Sequence, residues 1–170
     1  MSAPIVSLEL VDRATANDLL SRWEHYLGPC RRPFGSQSWA LMSDGEPVSI
    51  AVSASTVSAT AAGLPRRSVV ELARLCSDPA QRWATRPMLR LWREVAARRW
   101  PYWSIEAAIA YSADQRHPGN IYRFDGWTRF ATGRPSRGGG TWTQSRTSDV
   151  PPPSYGRKTG WIWRYSRDPS

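Results

Sequence analysis

Three short stretches of this sequence hold side chains whose types and spacing suit chemistry. His25-Tyr26 is an adjacent imidazole–phenol pair, Glu71 opens the run Glu71-Leu72-Ala73-Arg74-Leu75-Cys76, and Tyr111, Ser112, Asp114, His117 and Tyr122 follow one another closely. A histidine, a phenol and one or two carboxylates make a hard nitrogen–oxygen donor set of the kind that suits iron or manganese. His25, Tyr26 and Asp114 would be the ligands, with Glu71 as a further ligand or a base. Each residue also has a plainer reading. His25 suits a helix C-terminus, where the dipole favours it. Glu71 could simply pair with Arg74 or another arginine. Ser112 and Asp114 could close a turn on their own backbone, Tyr122 could be a packed aromatic, and His117 before Pro118 reads as a surface residue. Cys30 and Cys76 have no evident activating neighbour and read as packing residues.

The elements that must position these groups follow from pattern. Residues 5–10 alternate weakly as a first strand, and 14–26 carry Ala14, Leu19, Leu20, Trp23 and Tyr26 at helical spacing, with Gly28-Pro29 as the stop. Asp44-Gly45 between 38–42 and 48–52 predicts a hairpin. Residues 69–76 form a strand that Asp78-Pro79 ends. The strongest helix runs over 86–99, with Thr85 as its cap and Pro87 in its first turn. A strand over 103–111, a short helix over 120–124 and a strand over 128–131 follow. Beyond Thr132 the chain is rich in Gly, Pro, Ser and Arg, yet alternation at 161–165 predicts a late strand that docks on the body. The expectation is an α+β or mixed α/β fold with a substantial twisted sheet. A catalytic domain would span 1–131 and a basic, Trp-containing extension 132–170, packed on the same domain.

The chain has 170 residues and a net charge of +9. Its length supports a core without disulfides or metal, and two cysteines make no disulfide framework, which fits a reducing cytoplasm. No apolar run of about 18 residues is present, so no membrane span or secretory leader is expected. All basic residues but Lys158 are arginines; a GC-rich genome would produce that bias too. Residues 116–170 carry net +7 and residues 1–115 net +2. An uneven positive charge of this size attracts polyanions. The candidate surface for double-stranded DNA is Arg31, Arg32, Arg82, Arg86, Arg134, Arg137, Arg157 and Lys158. Each alone could be a solvated arginine or lysine, but phosphate binding sums many weak contacts.

A strand feeding a helix near Thr85, a later strand, then a short helix with a tyrosine resemble the Gcn5-related acyltransferase (GNAT) fold. His25-Tyr26, Glu71 to Leu75, Tyr111-Ser112-x-Asp114, Gly119-x-x-Tyr122 and Gly126-Trp127 resemble, over about residues 22–131, the phage Mom-like branch of that fold. The resemblance implies a transferase that converts adenine N6 in DNA to a carbamoylmethyl form and shields phage DNA from restriction. It implies a phage- or prophage-encoded protein in a bacterial cytoplasm, possible bound iron and a possible homodimer. His25, Tyr26, Glu71, Ser112, Asp114 and Tyr122 would be catalytic, with Tyr122 as general acid. Thr85 and Arg86 would meet an acetyl-CoA, acyl or glycyl donor. One departure stands out: residues 77–86 hold no glycine, whereas a GNAT diphosphate loop needs glycine for close backbone approach. Two alternatives compete with DNA modification. One is a CoA-dependent N-acetyltransferase on a small amine or protein. The other is a non-catalytic DNA-binding, anti-restriction protein.

Overall fold

The computed structural model describes residues 5–113, 117–130 and 158–166. Asp114, Arg134, Arg137 and Arg157 lie outside the described residues. Seven strands form one sheet in the order β1 (Val6–Val11), β2 (Ser36–Ser43), β3 (Glu46–Ala54), β6 (Val69–Ser77), β7 (Ala107–Ala113), β9 (Lys158–Arg164), β8 (Thr128–Phe130). Two short strands, β4 (Thr60–Ala61) and β5 (Leu64–Pro65), pair on the side. Every neighbouring pair in the main sheet is antiparallel except β6 and β7. A parallel pair needs a crossover, and the helical segment that starts at α2 (Thr85–Leu91) provides it.

Helix α1 (Arg13–Arg22) covers one face of the sheet with Ala16, Leu19 and Leu20 against Ala40, Ile50 and Val52. The α2 segment covers the other with Met88, Leu89 and Trp92 against Trp39, Leu41, Ala51 and Leu72. With both faces covered, β3 is buried almost throughout, Ser49 and Ser53 included. Among the described residues, no helix is long and apolar enough to cross a membrane.

Asp44 and Gly45 both take positive φ, 51° and 85°, as a tight hairpin requires. The short helix α3 (Asn120–Phe124) falls where the pattern put it. Two helices differ from expectation. α1 ends at Arg22, so His25 and Tyr26 lie in a loop. The end is a left-handed cap: Glu24 has φ 53°, its N–H donates to Ser21, and the His25 N–H donates to Leu20. Glycine usually marks that position; a glutamate there leaves no signal. The second helix is α-helical only to Leu91, then widens over Trp92–Ala96 and tightens over Ala97–Arg99. The wide turn, where each bond spans one more residue, turns Arg93 inward. There it is 5% exposed, bonded to Asp125 at 2.6 Å and lying 3.8 Å over the Trp163 ring. The strand expected from Trp103 begins at Ala107. Trp103 instead packs on Trp100 and donates its indole N–H to the Val69 carbonyl.

Candidate active site

β6 and β7 pair only from Val69–Leu72 to Ala107–Ala110. Beyond that, β6 stays with β3 and β7 with β9, so the two parallel strands part. A bulge in β6 accompanies the split: Leu72 faces Ser53 and Arg74 faces Val52, leaving Ala73 as the extra residue. Bulges increase local twist and re-aim side chains. Here the bulge brings Glu71 and Arg74, three apart in sequence, to the same side of the strand.

The parted strands open a cleft of two adjoining chambers. The larger, about 600 Å³, lies between Leu72–Ser77 on β6 and Tyr111, Ser112 and the start of α3, with Trp23 to Leu27 as a third wall. The smaller, about 300 Å³, is lined by Arg32, Thr56 to Ser58, Glu71 and Lys158. Tyr26, Leu27, Leu72, Arg74, Tyr111 and Ser112 border both. His25, Tyr26, Ser112 and Tyr122, expected to act together, therefore meet at one cleft, and Glu71 joins them through the smaller chamber.

Their individual surroundings refine their roles. The His25 Nδ1 accepts the Leu27 N–H at 3.2 Å, and the ring also hydrogen-bonds the Leu75 backbone. Burial, with help from nearby Arg74 and His117, pushes the imidazole down to about 4. At neutral pH the ring is uncharged and ties the loop to β6, stacking on Tyr26 at 4.9 Å; Tyr26 in turn meets His117 at 5.5 Å. A ring so engaged has no lone pair directed at a metal. Among the described residues, no three His, Cys, Asp or Glu side chains form a metal-sized cluster.

Glu71 is 4% exposed and pairs with Arg32 at 2.6 Å. Desolvation raises its carboxyl despite Arg32, Lys158 and Arg74. Its partner is thus Arg32, not Arg74, and Arg32 turns inward from the DNA-facing surface expected for it. Arg31, Arg82, Arg86 and Lys158 are exposed. Arg74, which the sequence reading did not single out as a site residue, clamps the loop after α1. It donates to the carbonyls of Gly28 at 3.0 Å, Leu27 at 3.4 Å, Pro29 at 3.3 Å and its neighbour Ala73 at 2.7 Å. An arginine inside a mostly apolar strand, three residues from Glu71, was the available signal.

Ser112 is buried, and its hydroxyl accepts the Trp161 indole N–H at 2.9 Å. Tyr122 is 8% exposed, stacked on Trp161 and edge-on to Trp127. Burial holds its phenol well above the usual tyrosine range, so it remains a proton donor. α3 has little more than one turn and cannot be stable alone; its surroundings hold it. Gly119, at φ 78°, brings its backbone onto Trp161, where an added Cβ would lie 2.5 Å from the indole.

The turn between β6 and α2 is closed on itself. The Asp78 carboxylate accepts the Ala80 N–H, and the Asp78 carbonyl accepts the Gln81 N–H, both at 2.8 Å. Thr85, expected to cap the helix and meet a donor, does not cap it; its hydroxyl bonds Ser77 at 2.8 Å. Arg86 leans over the Phe124 ring at 5.6 Å and does not line the larger chamber.

No family model matches the chain, and no curated protein matches it in sequence. The resemblance to the phage Mom-like branch has no counterpart in these comparisons. Solved structures do match. One is yncA of Salmonella typhimurium with its cofactor acetyl-CoA: 15% identity, TM-score 0.60, covering 97% of this chain and 96% of that one. Another is the GNAT domain of S. lividans PAT: 12% identity, TM-score 0.55, 96% of each chain. A third is the ribosomal-protein-S18-alanine N-acetyltransferase of Escherichia coli: 10% identity, TM-score 0.57, 93% of this chain and 91% of that one. At such identities the likeness is one of architecture, and it extends over nearly the whole chain: this protein has the GNAT fold, a mixed α/β sheet that parts between its two parallel strands.

Proposed function

We propose that this chain transfers a small acyl group from an activated donor to an amine, within the cleft between β6 and β7. The observation that carries the reading is the opposition of two proton-handling groups across one continuous opening: Tyr122 on the larger chamber and Glu71 on the smaller. The acetyltransferases that share the fold support acetyl transfer to a small amine or a protein amine.

The larger chamber would receive the donor and the smaller the acceptor. A thioester, when bound, supplies an electrophilic carbonyl and a sulfur leaving group. Glu71, raised by burial, is a stronger base than a solvated carboxylate and can take the proton of an attacking amine, while Arg32 fixes its direction. Tyr122, kept protonated, can donate to the departing atom. Tyr26, anchored by His25 and by the Arg74 clamp, borders both chambers and would shape the contact between donor and acceptor. The larger chamber has the room for an acyl-bearing arm; at the turn, Asp78 already occupies the Ala80 and Gln81 N–H groups that could otherwise meet a diphosphate. The reading is tested by incubating the purified protein with labelled acetyl-CoA and a panel of small amines and amine-bearing peptides. Label in an acceptor sustains it; no transfer to any member sinks it.

A second reading places the acceptor amine on adenine N6 in DNA. Its support is the convergence of His25, Tyr26, Ser112 and Tyr122 of the phage-like motifs on one cleft, together with the +9 charge. Nucleoside mass spectrometry of DNA from cells expressing the protein separates the two readings: a mass change confined to adenine selects this one.

A further inference from the structure

We propose that the larger chamber recognises only the group-bearing arm of its donor, so that a nucleotide-free thioester serves as well as acetyl-CoA; this rests on the acyl-transfer reading above. A diphosphate buries two or more negative charges and needs N–H donors or cations to meet them. At the start of the turn after β6, where a GNAT-fold protein would present such donors, the N–H groups of Asp78, Ala80 and Gln81 are all engaged within the protein. The Ala80 N–H faces the carboxylate of Asp78 and the Gln81 N–H faces its carbonyl. Pro79 between them has no N–H at all. The hydroxyls of Ser77 and Thr85 bond each other, and Ser77 also donates to Ser49 at 2.8 Å.

Cations do not replace the missing donors. Among the described residues lining this chamber, Arg74 is the one arginine, and backbone carbonyls engage its guanidinium. His25 is uncharged at neutral pH. Glu24 adds a negative charge to the lining, and Asp78 places another on the turn itself. Arg82 and Arg86 are near in sequence but absent from the lining, and Arg86 is drawn toward Phe124. The chamber wall therefore combines apolar surface and neutral hydroxyls with one arginine and one carboxylate, whose charges offset each other and leave no net attraction for a phosphate.

The experiment is equilibrium binding of acetyl-pantetheine, acetyl-CoA and adenosine 3′,5′-bisphosphate to the full chain, read by calorimetry. Acetyl-pantetheine and acetyl-CoA are expected to bind within about threefold of each other, and the bisphosphate not to compete. In Asp78→Ser, which keeps a helix-capping oxygen without its charge, acetyl-CoA should gain about fivefold or more over acetyl-pantetheine. Asp78→Gly, which also frees the Ala80 N–H, should gain at least as much. A thermal melt of each variant shows that it is folded. Acetyl-CoA binding about thirtyfold tighter than acetyl-pantetheine, or an unchanged preference in both folded variants, overturns the proposal while leaving acyl transfer standing. Binding of neither thioester, with no transfer, overturns both.

Discussion

The two chambers of the cleft are built on opposite electrostatic plans. In the larger one several polar groups are satisfied within the protein: His25 by backbone, Arg74 by four carbonyls, Ser77 and Thr85 by each other. In the smaller one charge is retained, with the Arg32–Glu71 pair and Lys158 on its lining. A buried guanidinium nitrogen of Arg32 even lacks a hydrogen-bond partner among the described residues. The contrast teaches where selectivity can reside. The larger chamber can select by shape and by the phenols of Tyr26, Tyr111 and Tyr122; the smaller must select by charge and hydrogen bonding.

The largest effect expected is therefore in the smaller chamber. Arg32→Ala leaves Glu71 buried and unpaired, which should destabilise the fold by about 3–5 kcal/mol. Replacing both partners at once, Arg32→Met with Glu71→Leu, should return stability to within about 1 kcal/mol of the parent, because the desolvation of two charges is removed together. Urea unfolding of the three proteins measures this. Equal losses in the single and double variants would mean that the pair is not a buried unit, and the contrast between the chambers would collapse.

Next comes the wall of the larger chamber. Gly119→Ala sets a methyl 2.5 Å from the Trp161 ring and forces a side chain onto φ 78°. The combined overpacking and strain should cost about 3 kcal/mol. α3 should be displaced before the sheet melts, so Tyr122 should lose protection from solvent while the far strands β1 to β3 keep theirs. Hydrogen exchange at Tyr122 against Ala40 distinguishes local displacement from general unfolding.

Tyr122→Phe sharpens the comparison differently. It removes one hydroxyl and leaves the stack on Trp161 intact. If Tyr122 is the proton donor, the transfer rate should fall about a hundredfold with stability changed by less than about 1 kcal/mol. A rate within a few-fold of the parent would move the donor role elsewhere on the lining.

Much of this arrangement was visible in local pattern, and what was hidden has physical causes. The hairpin at Asp44-Gly45 and the short helix after Gly119 depend on residues that suit positive φ, so the chain announces them. The end of α1 depends on the same geometry, but Glu24 occupies it, and the helix was read too far, through Tyr26. The bulge at Ala73 depends on how β6 meets β3, which no local period encodes, so the shared side of Glu71 and Arg74 was invisible. β9 lies between β7 and β8, a pairing between distant segments whose only trace was the alternation at Trp161 to Tyr165. Site residues were legible as types. Their partners were not: Arg32 faces Glu71 across 39 positions in sequence.

The smallest effect expected concerns His25 and acid. Its folded value lies at about 4, below the ordinary 6.5, so between those pH values the native state holds fewer protons than the unfolded chain. Stability from this residue is complete above pH 6.5 and is lost as pH falls toward 4. Allowing for the partial exposure of the ring, the loss should be about 2 kcal/mol. Charging the ring would set it against Arg74 and His117 and would cost Nδ1 its acceptor role toward Leu27. Glu71 acts in the opposite sense: its raised carboxyl takes up a proton in the folded state first, so its contribution grows as pH falls. The two are separated by His25→Gln, whose amide oxygen can still accept from Leu27 but does not titrate. Unfolding free energies at pH 7 and pH 4.5 should fall more steeply in the parent than in this variant. Parallel slopes would mean that the imidazole is not held neutral against β6, and Tyr26 would lose the anchor that keeps the larger chamber in shape.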